Sequence, residues 1–330
     1  MLLAQKDGKT TFPLEKFYVE REKSRTSFLS KFTFGLSTGV GNTFLSHQLS
    51  GFSIYQISGQ GPVLFDTQGL NLTTTPTIAE LNTTNRFTNW VNDASVTNAV
   101  IPPTAVIDVN TTTFKGNGNA LNIPLKLTVH YEYKQFRIGA GYSYELMNLG
   151  DFKIASADKS YTLSPIGTLG FMSKYFGLIG YSFYRMDSYL FTVDTNIGNF
   201  SPGSNFNSGL IQKSLYYNLG LTVERDFSEY FKVFARPSVE LKSYSLAVGG
   251  KSIDHAMNAL YLNVGVTYRI PELRRCFKKE CRIQINHAHG NKEYRSRAHK
   301  IYEKQNPAYG ENDPILIKYK GKNKRKLNPY

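Results

Sequence analysis

Four residues near the end of the chain have types and spacing that can do chemistry. Cys276, Cys281, His287 and His289 read C-x4-C-x5-H-x-H. Two thiolates and two imidazoles can hold zinc tetrahedrally. The spacing departs from common zinc modules, and an oxidising compartment joins close cysteines. A local disulfide between Cys276 and Cys281 is therefore the favoured expectation. It closes a small loop and stiffens the chain there. Metal ligation by the four residues is the alternative.

Two further histidines invite a catalytic reading. A hydrolase that works from a barrel wall needs Ser and His together on the outward side. His130 falls on the polar face of an alternating segment with no matching outward Ser. It reads as an interior side chain in an ion-paired network. Asp254-His255 falls in a segment, 247–257, that reads as a solvated loop. No phosphate-binding glycine loop, nucleophile elbow or metal-binding helix motif occurs. The three N-x-T sequons at Asn71, Asn82 and Asn110 sit in a stretch so rich in Thr and Asn that chance supplies them. The expectation is a non-enzyme without a cofactor.

Charge is concentrated at one end. The chain has 330 residues and a formal net charge of +14. Residues 271–330 hold sixteen Lys and Arg against six Asp and Glu, a net of +10, which leaves 23 against 19 for the rest. Basicity is a tail property. The runs Lys318, Lys320, Lys322 and then Lys324, Arg325, Lys326 are the candidate docking residues of that tail, with Tyr302, Tyr309 and Tyr319 spaced for extended contact. Basic residues mixed with Tyr also occur in nucleic-acid binders, a partner that a membrane barrel does not meet.

The elements that must position these residues are strands. Mean hydropathy is −0.34, and there is no run of ~18 apolar residues to make a membrane helix. Barrel strands alternate, so a low average does not exclude them. Phe32, Phe34, Leu36, Thr38 and Val40 alternate with Thr33, Gly35, Ser37 and Gly39. Leu121, Ile123, Leu125, Leu127, Val129, Tyr131 and Tyr133 oppose Asn122, Lys126, Thr128, His130 and Glu132. A tight turn at Lys134-Gln135 follows. Further strands read at about 137–146, 160–174, 177–192, 211–225, 231–246 and 258–270, eight in all. Tight turns are predicted near 134, 175 and 228, and longer loops at 46–118, 149–160, 193–210 and 247–257. Short turns on one side and long loops on the other are expected of a bacterial barrel. A β-sandwich has no reason to sort its loops this way.

The predicted fold is all-β: an antiparallel up-and-down transmembrane barrel of eight strands. It becomes ten if the apolar pieces Phe52–Ile57 and Val63–Phe65 join the sheet. One face meets lipid and the other fills a narrow lumen. The candidate lumen network is Lys126, His130, Glu132, Arg137, Glu145, Glu224, Arg236, Glu240, Lys242 and Arg269.

In architecture residues 31–270 resemble the small outer-membrane barrels of the OmpA/OmpX type. The start Met-Leu-Leu-Ala-Gln, the stretch Arg-Ile-Pro-Glu-Leu-Arg-Arg-Cys at 269–276, Asn-His-Ala-His-Gly at 286–290 and Lys-Tyr-Lys-Gly-Lys-Asn-Lys at 318–324 are similar to Bacteroidota barrels in particular. The pattern departs at the end, because the last strand is not the C-terminus. The implied plan is a signal-peptide remnant at 1–4 (or an ordinary start), a lead-in at 5–30, the barrel at 31–270 with an extracellular loop at 46–118, and a basic periplasmic tail at 271–330. The implied place is the outer membrane of a Gram-negative bacterium, with both termini periplasmic. The implied job is an anchor or scaffold, for example as an accessory subunit of an envelope or secretion complex. Its partners would be outer-membrane lipid and, through the tail, a periplasmic protein or peptidoglycan. A narrow channel or small-molecule transporter is the alternative.

Overall fold

The computed structural model describes residues 20–49, 114–155, 159–164, 168–186, 188–203, 211–213, 215–248, 251–298 and 300–303, with short pieces between 52 and 108. Eight strands form the barrel: β1 Phe32–Leu49, β2 Phe114–Tyr133, β3 Phe136–Ala155, β4 Leu169–Met186, β5 Tyr189–Pro202, β6 Tyr216–Asp226, β7 Phe231–Leu241 and β8 Lys251–Arg269. Each pairs antiparallel with the next. β8 then pairs with β1, from His255 opposite His47 to Arg269 opposite Thr33, and closes the ring. Closure removes the exposed edges that an open sheet would present.

Four boundaries differ from the sequence expectation, one of them the loop at 193–210, since β5 runs to Pro202. The tight turn near 175 does not exist. Tyr175 sits inside β4, opposite Tyr142 of β3 and Asn199 of β5. The chain turns instead between Met186 and Tyr189, at Ser188. Gly177 and Gly180 made the middle of β4 look like a break, although a barrel wall admits glycine. The loop at 247–257 is a hairpin extension. Ser243–Val248 pairs with Lys251–Ala256 of β8. The loop at 149–160 is shortened likewise, since β3 runs to Ala155 and pairs with Ser160–Leu163.

The segment between β1 and β2 adds no strand to the ring among the described residues. Phe52–Gln56, Val63–Asp66 and Val106–Asp108 pair with one another, and Leu70–Asn71, Thr77–Glu80 and Thr97–Val100 form a second small sheet. The barrel has eight strands.

The two faces of the wall exchange character along its length. From the turn end up to Leu121, the outward side chains of β2 are Tyr133, Tyr131, Val129, Leu127, Leu125, Ile123 and Leu121, all exposed. Twelve residue steps at the usual rise and strand tilt give an apolar belt roughly 30 Å tall, enough for a bilayer core with its aromatic rims. Rings mark the turn-end rim: Phe136 lies 5.3 Å from Tyr181, and Phe32 lies 6.3 Å from Tyr131. Tyr144 stacks on Phe171 at 5.6 Å further up the wall. Above this belt the pattern inverts. Lys115, Asn117 and Asn119 of β2 and Asp151 and Lys153 of β3 point outward. The inward residues there are Phe114, Leu45, Phe152, Ile154 and Phe200, all buried. The upper barrel is therefore built like a water-soluble protein around an apolar core, and the lower barrel is built for lipid.

Below the turn end, the lead-in and the start of the tail fold together. β9 His287–His289 and β10 Lys292–Tyr294 make a hairpin through Gly290, whose φ of +63 suits glycine. Glu20–Arg21 adds parallel to β10. Bridges join Lys23 to Leu273 and Arg275 to Arg295. This collar touches the β6–β7 turn, where the Arg295 guanidinium lies 5.8 Å from the Tyr230 ring and Ser228 Oγ donates to the Ile301 carbonyl.

Candidate functional site

The lumen is filled by three tiers of charged side chains. In the tier nearest the turns, Arg137 makes two bonds to Glu224 across the barrel, and its Nη2 also donates to Glu132 at 3.0 Å. Lys232 lies 3.6 Å from Glu224 and 3.7 Å from Glu132. Arg269 reaches Glu132 at 3.4 Å, and so does His130 Nε2. In the middle tier, Arg236 holds Asp194 at 2.6 Å and Thr222 Oγ1 donates to the same carboxylate at 2.5 Å. In the upper tier, Lys174 Nζ lies 2.5 Å from both Glu145 and Glu240. Lys242 reaches Glu240 at 2.9 Å. The Tyr261 hydroxyl donates to Glu145, and so does Asn122 Nδ2, which is also 2.6 Å from Thr43 Oγ1. Lys126 stands 5.6 Å from the Tyr261 ring.

Small residues make room for these groups. A side chain at Gly41 would run into the Tyr261 ring, and one at Gly220 into the Arg236 guanidinium. Between the lower and middle tiers a cavity of about 40 Å³ is lined by His130, Arg137, Asp194, Arg236 and Asn263. That is room for a few waters. Above the upper tier the apolar core takes over, with Tyr216, Met257, Met147 and Leu45 buried.

All ten residues named from sequence for the lumen lie on the inner side and contribute to these tiers. Sequence reading omitted Lys174, Asp194, Lys232, Asn122 and Tyr261. The false turn near 175 put Lys174 at a strand end, and the loop assigned to 193–210 took in Asp194. Correct phasing of β4 and β5 would have found both. The Tyr261 hydroxyl as a link between charges is not visible from alternation.

The two histidine candidates take separate places in the barrel. His130 belongs to the lower tier. His255 is on β8, not in a loop, and is buried with its ring 3.8 Å from His47 and stacked 4.8 Å from Tyr244. Asp254 points to the other face and accepts from Ser245 Oγ at 2.6 Å. Asp254 and His255 thus lie on opposite sides of a strand and not in the solvated loop expected for 247–257.

The collar gathers Cys276, Cys281, His287 and His289. Their ligand atoms all lie within 4.8 Å of one another. The expected disulfide is not formed: both cysteines are free thiols. Antiparallel pairing with β10 holds His287 and His289 on one face of β9, where His287 Nε2 lies 3.1 Å from Cys281 Sγ. Around the cluster Arg274, Arg275, Lys278, Lys279 and Arg282 are exposed. Lys318, Lys320, Lys322, Lys324, Arg325 and Lys326, named for tail docking, lie outside the described residues, as do residues 1–4.

No family model matches the chain, and no curated protein does. Solved structures do match. The outer-membrane protease OmpT of Escherichia coli is 9% identical with a TM-score of 0.31, over 72% of this chain and 96% of that one. The outer-membrane protein OprG of Pseudomonas aeruginosa is 9% identical with a TM-score of 0.28, over 76% and 100%. The translocator domain of the autotransporter NalP of Neisseria meningitidis is 13% identical with a TM-score of 0.24, over 73% and 89%. Likeness at this level carries no argument about activity, and the barrel assignment rests on strand closure and on the two faces of the wall.

Proposed function

We propose that this chain is a non-enzymatic, non-conducting barrel of the outer membrane, of the OmpA/OmpX type, that anchors a partner at its turn side. The observation that carries the reading is the filled lumen. Among the described residues three tiers of ion-paired side chains and an apolar core above them fill the interior, as an eight-stranded ring allows. A protein whose interior is closed acts through its surfaces. The lipid-facing belt fixes it in a bilayer, and closed β-barrels of even strand number are the form that bacterial outer membranes hold.

On this reading the turn side is periplasmic, with both the collar and the basic tail there. The exposed basic residues of the collar suit an anionic partner: an acidic periplasmic protein or the carboxylates of peptidoglycan. Such binding weakens as salt rises. The resemblance to Bacteroidota barrels supports a place as an accessory subunit of an envelope complex. The narrow-channel reading requires a route through all three tiers. Nucleic acid has no place among the partners of a segment on this side of the membrane.

The test is binding by full-length protein in detergent and by a form ending at Glu303. Affinity for peptidoglycan or a cross-linked periplasmic protein that falls steeply with salt supports the anchor. Binding unchanged by salt and by Lys278→Glu/Lys279→Glu contradicts it.

A further inference from the structure

We propose that Cys276, Cys281, His287 and His289 form a structural zinc site that locks the collar beneath the barrel. The four donors come from two places brought together by folding. Cys276 and Cys281 lie on the segment that leaves β8. His287 and His289 lie two residues apart on β9, so alternation puts both rings on the same side of the strand.

The geometry is close to that of a bound ion. His287 Nε2 lies 3.1 Å from Cys281 Sγ and 3.1 Å from His289 Nε2, and no pair among the four ligand atoms exceeds 4.8 Å. Zinc bonds of about 2.0–2.1 Å to nitrogen and about 2.3 Å to sulfur put tetrahedral ligand–ligand edges at roughly 3.3–3.8 Å. The two Nε2 atoms stand close enough for one cation to take a lone pair from each. The other nitrogen of His287 is already committed: Nδ1 lies 2.9 Å from the Ile285 carbonyl. That bond fixes the proton on Nδ1 and leaves the Nε2 lone pair for a metal, the usual outer-shell arrangement of a metal-bound histidine.

The site is also fixed from outside. Cys276 is buried, its N–H bonds to the Arg295 carbonyl at 2.9 Å, and Arg297 donates to the Cys276 carbonyl at 2.9 Å. Phe277 packs edge-on to His289 at 5.7 Å and to Tyr294 at 5.3 Å. Four protein donors complete a tetrahedron, so the site is closed and structural, with no position for a substrate. Two thiols lose protons to solvent on binding, and the ion neutralises the two thiolates. Held this way, the thiolates are withdrawn from the oxidation that would otherwise join them.

The experiment uses full-length protein folded in detergent in the presence of zinc sulfate and then dialysed. Metal analysis is expected to give one zinc per chain. Cys281→Ser and His289→Ala should each lower this at least tenfold while keeping the heat-dependent gel shift of a folded barrel. Cobalt loading should give the intense visible bands of a tetrahedral thiolate site, and zinc should slow proteolysis of residues 271–303. Three results would overturn the proposal: a Cys276–Cys281 disulfide in the metal-free protein, free thiols with no metal retained, or zinc retained equally by both variants.

Discussion

Arg137 of β3 and Glu224 of β6 form a two-pronged ion pair across the lumen, Nη1 to Oε1 at 2.7 Å and Nη2 to Oε2 at 2.9 Å. The two strands are not neighbours in the sheet, and the residues are 87 apart in the chain. Such a bond exists only when the wall has curled into a ring. It ties closure of the barrel to closure of its interior. Glu224→Ala leaves Arg137 with Glu132 alone. Losing one partner of a buried pair costs about 3–5 kcal/mol, less what Glu132 retains. The urea midpoint of the folded band on a gel should fall, and Arg137→Met/Glu224→Leu should recover part of it. No loss in the single variant would mean that the tier does not hold the barrel.

Lys174 serves two carboxylates at once. Lys174→Met leaves Glu145 and Glu240 buried and facing each other with Lys242 on one side only. It should destabilise the barrel by several kcal/mol, on the order expected for an uncompensated buried charge. Glu145→Gln should cost less, since Lys174 keeps Glu240. Equilibrium unfolding in lipid vesicles gives both values, and the reverse ranking would refute the tier as described.

The inversion of the wall predicts where the bilayer ends. Leu127 lies mid-belt between Leu36 and Tyr142, and Asn117 lies above it. Leu127→Arg should cost about 2–4 kcal/mol, as arginine does at the midplane. Asn117→Arg should change stability by less than about 0.5 kcal/mol, as for an exposed surface site. Equal costs would remove the membrane boundary from between them.

The collar has its own pH response. Lys292 donates to Glu22 at 3.0 Å, and Arg274 stands 3.5 Å away. The hydrogen bond from Lys292 and then the two positive charges hold the Glu22 carboxyl below its usual value of 4.5. A lowered folded value means that the stabilisation is present above the unfolded value and is lost as pH falls through the folded one. In metal-free protein, amide exchange at Glu22 and Arg274, which bond to Glu293 and Glu22 backbone oxygens, should be unchanged from pH 8 to 5 after correction for intrinsic rate. Protection should drop as pH falls below the usual carboxyl value, and Glu22→Gln should abolish that drop.

Much of this was legible from alternation, because a wall with lipid on one side and packed charge on the other writes its period into the chain. β2 shows it plainly: Leu121 to Tyr133 outward, Asn122 to Glu132 inward. Alternation does not report where a strand stops. Tyr175 and His255 were misplaced because glycines and a polar stretch mimic turns, while the turn at Ser188 is short and flanked by Tyr and Met. Nor does it report which charges meet. Glu145 and Lys174 share a tier only because β3 and β4 pair with Glu145 opposite Met172. The collar was least legible, since its ligands come together through two short strands and the lead-in.

The central claim is a barrel that is closed along its length, and single-protein conductance in a planar bilayer tests it most directly. The folded full-length chain should give no steady current at ±100 mV, an applied voltage of about that size being enough to drive ions through an open lumen. Glu145→Ala/Lys174→Ala/Glu240→Ala should remain closed by the apolar core above. A steady, ohmic current from the unaltered chain would contradict the account.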